Sequence, residues 1–199
     1  MIEKQGIEDV TSELIQCCLN GDQAAYTELY EQYAPALYRL CYGLVLNRQD
    51  AEDVVQESFV YAFKNLARFD PEKAAFKTWL YTIALSRSRN VHRKKRLPTI
   101  DISQIFQINI AGSDAEQPEA VLAHRTAEDE IIRALAKLPS QLREAVILRY
   151  GHSLTFREVA EVMDCPPKTA ESRVRLAHRR LHRLLAHHGQ GLLAELLSS

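Results

Sequence analysis

The residues best suited to chemistry lie in Phe76–Arg96, FKTWLYTIALSRSRNVHRKKR, which holds seven Lys/Arg and no Asp or Glu. The only tryptophan of the chain, Trp79, stands there between Phe76 and Tyr81. Rings beside cations suit single-stranded nucleic acid, because bases stack on the rings while the cations neutralise the backbone. A second set, Lys168, Thr169, Glu171, Ser172, Arg173 and Arg175, opens the last long helical pattern, behind a short capped helix and a tight turn. These are the parts of a helix-turn-helix, whose second helix enters the major groove with its first two turns against the base edges. In that setting Arg173 can fork onto guanine, Ser172 or Thr169 can bond base or phosphate, and Glu171 can accept from cytosine. Arg179, Arg180 and Arg183 lie further along and suit phosphates. Plainer readings stand beside these. A charge run is often a solvated helix face, Phe76 and Trp79 match the spacing of a buried stripe, and two helices around a turn can be an ordinary bundle hairpin.

These side chains need helices to hold them. In the basic stretch Phe76, Leu80, Ile83, Ala84 and Val91 recur at helical spacing, so one face can bury while the other stays cationic. Before it, residues 1–8 read as a frayed start, and Val10, Leu14, Ile15 and Cys18 as a first helix. Asn20-Gly21-Asp22 reads as a break with a C-terminal cap at Gly21 and an N-cap at Asp22. A long helix is predicted over Gln23–Leu46, with Pro35 kinking or dividing it. Asp50 is the predicted N-cap of the next helix, which carries Val54, Val55, Phe59, Ala62, Phe63 and Leu66 on one side. Glu52, Asp53, Gln56 and Glu57 lie on the other side and are not needed for burial. Residues 97–125 show no sustained period and read as a linker, although Ile100–Ile110 is apolar enough to dock in a groove. Helices resume near Thr126, with a stop at Pro139 and a helix over Gln141–Tyr150 capped by Ser140 and ended by Gly151. A capping box at Thr155–Glu158 precedes a short helix. The final helix opens at Lys168 or Thr169.

Seven Gly and seven Pro in 199 residues leave few turns, so the predicted fold is all-α. It consists of two small helical domains joined by a linker, the C-terminal one a helix-turn-helix of four helices. The expected boundaries are 9–96, 97–125, 126–188 and a tail at 189–199. A formal charge of −1 means that the cations of 76–96 have been sorted along the chain, which points to a polyanionic partner. The polar, acidic start MIEKQGIEDV and the lack of a long apolar run predict a cytoplasmic protein with no membrane insertion. Cys17, Cys18, Cys41 and Cys165 form no CxxC pair and read as buried thiols, not disulfides.

Taken together, DAEDVVQESFVYAFKNL, FKTWLYTIALSRSRN and LPSQLREAVILRYGHSLTFREVAEVMDCPPKTAESRVRLAHRRLHRLL resemble the bacterial sigma factors of the extracytoplasmic-function group. The resemblance covers about residues 10–96 and 126–186, two matching units in the family's order. It implies that Asp50, Glu52, Asp53, Gln56 and Glu57 form the surface for the clamp helices of core RNA polymerase, with a further contact to its flap. It implies that the loop Phe69–Ala75 walls a pocket for a base flipped from the nontemplate strand. Phe76, Lys77, Trp79, Tyr81, Arg87, Arg89, Asn90 and Arg93 would then meet the −10 DNA, melted or duplex. Lys168, Thr169, Glu171, Ser172, Arg173, Arg175 and Arg179 would read the −35 duplex. The resemblance further implies a linker threading toward the polymerase channels, an anti-sigma partner, no catalysis and no cofactor. Ser86 and Asn90 stand where the family usually has Asn and Asp, and Lys168 where it often has Gly, so no promoter consensus follows.

Two other functions use some of the same residues. A helix-turn-helix regulator that never joins polymerase would need neither the acidic helix nor the Trp-containing basic one. A metal-dependent enzyme could use His178 and His182, four apart, with His187 and His188 nearby. No acidic residue accompanies those histidines in a metalloprotease motif, and their surroundings are basic.

Overall fold

The computed structural model describes residues 2–96 and 130–185. The linker, the apolar run 100–110, the helix start near Thr126, His187, His188 and the tail fall outside the described residues. The N-terminal half contains α1 (Ile2–Leu19), α2 (Gln23–Val45), α3 (Arg48–Lys64) and α4 (Phe76–Arg96), with a 3₁₀ turn at Leu66–Arg68. The C-terminal half contains α5 (helical over 130–136), α6 (Ser140–Val146), a π turn (Ile147–Gly151), α7 (Phe156–Met163) and α8 (Pro167–Leu185). No described helix is long and apolar enough to cross a membrane.

Local chemistry explains most boundaries. Gly21 takes φ +90°, and the Asp22 carboxylate accepts from the Ala24 N–H at 2.9 Å, which satisfies one orphan donor at the start of α2. Pro35 does not divide α2. It lies exposed within a continuous helix, where water can satisfy the Glu31 carbonyl it leaves unpaired. The N-cap of α3 is Asn47 instead of Asp50: its side chain accepts from the Asp50 N–H at 2.9 Å, and Asp50 sits inside the first turn. The first helix starts at Ile2, earlier than periodicity suggests. The expected helix over Gln141–Tyr150 begins at Ser140 behind Pro139 and ends at Val146, where the backbone opens into the π turn. The capping box of Thr155 and Glu158 is present in both directions, an arrangement worth ~1 kcal/mol. Pro167 opens α8, where its missing N–H costs nothing and its fixed φ suits the first helical residue.

The two helical units share one core. α4 packs on α2 and α3 through Leu80, Ile83, Ala84 and Leu85, and it also meets α7. The resulting apolar cluster runs without interruption from Leu29, Leu37 and Leu40 through Leu80 and Leu85 to Leu148, Val159 and Val174. A smaller cluster joins Ala134 to Leu185. The halves also meet where α2 packs against the π turn. A Cβ on Gly43 would lie 3.0 Å from Ile147 Cδ1, so glycine is what lets Ile147 seat. Gly43→Leu is therefore expected to part the two halves while leaving α2 helical. The overpacking should cost about 1–3 kcal/mol, seen as faster amide exchange at 147–151 with unchanged far-ultraviolet helicity.

Candidate nucleic-acid interface

The aromatic end of α4 is built with the loop before it. Asp70 accepts from the Glu72 N–H at 3.1 Å and pairs with Lys73 at 2.6 Å, contacts that hold its carboxyl below the ordinary carboxylate range. Phe69, delivered by the 3₁₀ turn, lies 5.5 Å from Phe76 and 5.3 Å from Trp79, centroid to centroid. Phe76 is buried and also meets Tyr33 at 5.1 Å, so it anchors the cluster, whereas Phe69 and Trp79 are half-buried. Phe76 is therefore core, and Phe69 and Trp79 keep accessible surface. Beside them lies a cavity of about 670 Å³, walled by Thr11, Tyr33, Phe69, Pro71 and Phe76. Thr11 and Tyr33 share a hydrogen bond at 2.9 Å, and Gln32 Nε2 donates to Thr11 Oγ1 at 3.3 Å. The sequence reading missed α1 as a wall of this cavity, because only the fold brings Thr11 beside Phe69.

The cations of α4 divide into groups. Arg93 is exposed and Asn90 half-exposed. Arg87 lies over the Tyr61 ring at 5.0 Å and 3.7 Å from Glu57 of α3. Lys77 and Arg89 face the C-terminal half. Arg89 grips Glu144 of α6 with two bonds, Nη2 to Oε2 at 2.8 Å and Nε to Oε1 at 3.3 Å. The hydrogen bond raises the Arg89 pKa despite burial. Lys77 Nζ donates to the His152 carbonyl at 3.3 Å. Tyr81, expected to meet DNA, is fully buried here, and its hydroxyl shares a 2.9 Å hydrogen bond with His152 Nδ1. Burial pushes the Tyr81 phenol well above its usual range, so it stays neutral. Nearby, His92 Nε2 lies 3.1 Å from the Leu44 carbonyl and 3.3 Å from Arg143 Nη2. One ring nitrogen cannot donate to a carbonyl and accept from a guanidinium at once; the shorter contact to Leu44 is the hydrogen bond. Arg143, buried and with Nε unpartnered, is left under-satisfied.

The other two candidate surfaces face solvent. On α3, Glu52, Asp53, Gln56 and Glu57 are exposed and Asp50 is half-exposed; Glu52 pairs with Arg48 at 3.0 Å. A groove of about 560 Å³ adjoins this face, lined by Tyr30, Tyr38, Glu52, Gln56 and Val60. Tyr30 and Val60 are 43% and 46% exposed, more than packing alone asks of them. On α8, Lys168, Glu171, Ser172, Arg175 and Arg179 are exposed and Thr169 and Arg173 half-exposed, while Ala170, Val174 and Ala177 are buried. Asp164, at φ +51°, turns the chain between α7 and α8. The leading end of α8 thus stands clear of the core, as groove entry requires.

Of the four cysteines, Cys18 and Cys41 are taken up by packing and Cys165 partly so. Cys18 and Cys41 are buried, and burial lifts the Cys41 thiol to about 12, which makes it a poor nucleophile. Cys17, expected to be buried, is exposed, since it occupies the opposite face of α1 from Cys18. His178 lies 6.4 Å from the Tyr150 ring, and no group of three metal-ligating side chains occurs among the described residues.

Comparison with known proteins agrees with this layout. Residues 29–97 match Sigma-70 region 2, and residues 128–181 match Sigma-70, region 4. The chain is 31% identical to the RNA polymerase sigma-H factor of Pseudomonas aeruginosa over 184 residues, covering 89% of this chain and 95% of that one. It is 33% identical to the ECF RNA polymerase sigma-E factor of Escherichia coli over 167 residues, 81% of this chain and 86% of that one. Among solved structures it is similar to CnrH in complex with the cytosolic domain of CnrY, with a TM-score of 0.67 and 26% identity. That match covers 88% of this chain and 97% of CnrH. It is similar also to the sigma factor RpoE of Bartonella quintana in complex with the anti-sigma factor NepR. There the TM-score is 0.64 at 26% identity, over 82% of this chain and 98% of that one.

His152 makes the contact between the halves sensitive to acid. Burial first, and then the charges of Lys77 and Arg39, lower its pKa from 6.5 to about 4. The docked state therefore binds fewer protons than a state with His152 in water, and its stability is full above pH 6.5 and falls as pH drops toward 4. At pH 5 the loss should be roughly 2 kcal/mol. Thermal unfolding followed between pH 7 and pH 5 should show a falling midpoint in the parent and a shallower fall in His152→Asn.

Proposed function

Because the chain belongs to the extracytoplasmic-function group of RNA polymerase sigma factors, we propose that its three faces divide the work of promoter-directed initiation. Members of this family are transcription initiation factors and not enzymes. The exposed acidic side of α3, Asp50, Glu52, Asp53, Gln56 and Glu57, docks on the clamp helices of core polymerase. The adjoining groove at Tyr30 and Val60 adds apolar contact. The leading end of α8, from Lys168 to Arg179, reads the −35 duplex in the major groove. The aromatic and basic surface of α4, with the cavity beside Phe69, captures the melted −10 strand. A base seated there offsets part of the unstacking cost, which is a few kcal/mol. The units responsible are 9–96 and 126–188, joined by a linker at 97–125. The protein acts in the cytoplasm, and its relatives' complexes support control by an anti-sigma partner.

The observation that carries this reading is the joint presence, on one chain, of an exposed acidic α3 and an exposed, cation-led α8. An operator-binding regulator needs only the second. Co-migration with core polymerase in gel filtration separates the two functions, and failure to co-migrate beside an authentic sigma factor would sink the first. Arg173→Ala is expected to weaken −35 binding by about 1–3 kcal/mol if the guanidinium forks onto a base, measured as reporter transcription and duplex affinity. Asp53→Arg should reduce polymerase binding while leaving duplex binding intact; equal loss of both would indicate misfolding.

A further inference from the structure

A pocket of about 380 Å³ opens between α2, α5, the π turn and α8. None of the residues assigned to polymerase or DNA lines it. Its apolar wall is Ile131 and Leu135 of α5, Ile147 and Tyr150 of the π turn, and Leu181 and Leu185 of α8. Ile131, Leu135, Tyr150 and Leu181 are only half-buried, so this wall still meets water. Apolar surface gathered in one concave place marks a site for an apolar occupant. Arg39 of α2 also lines the pocket; it is exposed and forms no hydrogen bond or ion pair among the described residues. The matching occupant is an apolar stripe that carries an acid.

The chain itself supplies such a stripe close by. α8 is described as far as Leu185, which is itself a wall residue. The sequence continues AHHGQGLLAELLSS, where Leu192, Leu193, Leu196 and Leu197 share one side at helical spacing and Glu195 flanks them. On α8 the pocket-lining residues His178, Leu181 and Leu185 cover a length of about 10 Å. The six residues 186–191 reach at most about 20 Å when extended, and Gly189 and Gly191 ease a reversal of the chain. The stripe can therefore return antiparallel to α8 along its pocket-lining side. The apolar run 100–110 is the competing segment, but 20 residues separate it from Ile131, against six between Leu185 and Leu192. The shorter tether gives the tail the higher local concentration at the pocket.

We propose that residues 192–197 fold back into this pocket as an internal clasp, with the leucine stripe against α5, α8 and the π turn and Glu195 paired with Arg39. Once seated, the clasp ties α8 to α5 and α2 through a segment that contributes to neither helical unit. Docking requires neither polymerase nor DNA.

The test uses the chain alone. Amide exchange over 131–135, 147–151 and 178–185 is compared in the parent, a variant lacking 189–199 and Leu193→Asp/Leu196→Asp, with far-ultraviolet helicity as the control for folding. Fluorescence of the apolar dye anilinonaphthalene sulfonate is read on the same samples. Both variants should exchange about tenfold faster over these segments and brighten the dye, because a segment on a short tether docks at high effective concentration. Arg39→Glu and Glu195→Arg should each speed exchange, and the two together should restore the parent rate. Parent-like exchange and dye fluorescence in a folded tail variant overturns the clasp. Opening of the pocket by Ile105→Asp/Ile108→Asp and not by the tail variants overturns it in favour of the run 100–110. Protection that rises with chain concentration overturns it in favour of a second copy. Faster exchange in the tail variants without recovery in the charge swap upholds the clasp and overturns the ion pair. If the shortened chain does not fold, Leu193→Asp/Leu196→Asp decides, because it keeps the full length.

Discussion

One helix has to satisfy both halves of the chain. α4 buries Leu80, Ile83, Ala84 and Leu85 among the neighbouring helices, while Tyr81 and Lys77 engage the turn at His152 and Arg89 engages α6. It does this with seven cations in 21 residues and no acidic residue of its own. The apolar stripe makes α4 part of the N-terminal unit. The cations need acceptors, and wherever the C-terminal half comes near it must supply them. Glu144 is the acceptor for Arg89 and the His152 carbonyl for Lys77, while the His152 ring pairs with the Tyr81 hydroxyl. The position of the second unit therefore follows from what α4 needs along the edge it does not bury among α2 and α3.

The contact is mixed in character, and this bears on how it behaves. Ile147 seated against Gly43 contributes apolar burial, which is favourable and undirected. The polar pairs set the register, because a fork on a carboxylate and a phenol on an imidazole each tolerate little displacement. Arg89 is about half exposed while Glu144 is buried, so separating them strands the carboxylate more than the guanidinium. Such a pair adds specificity of docking more than stability, since desolvation offsets much of the attraction. Together with the strain at Ser153 and the orphaned Arg143 Nε, this describes an interface with one defined geometry and a modest margin.

The three proposed faces are set apart by the same economy. α3 turns its acids outward because its other side is filled by Val54, Val55, Phe59 and Ala62. α8 is free at its leading end because its core contacts, Ala170, Val174 and Ala177, are small and lie to one side. Only α4 has a functional face that doubles as an internal one.

Much of this was legible before folding. The helical periods of α2, α3, α4 and α8, the cap at Asp22 and the capping box at Thr155 depend on residues within four positions of one another, which a sequence displays directly. The acidic side of α3 and the cationic start of α8 were visible because residues not needed for burial stand out against a periodic stripe. What lay hidden depends on partners far along the chain. Nothing local says that the chain after Val146 will open into a π turn. Tyr81 looked like a DNA contact because its ring stands among cations; its burial is decided by His152, 71 residues away. Thr11 joined the cavity, and Glu144 met Arg89, for the same reason. Sequence by itself determined which residues form helices and which charges are surplus to the core. The tertiary structure alone decided which of those charges face water and which face each other, because that depends on where two halves distant in sequence come to rest.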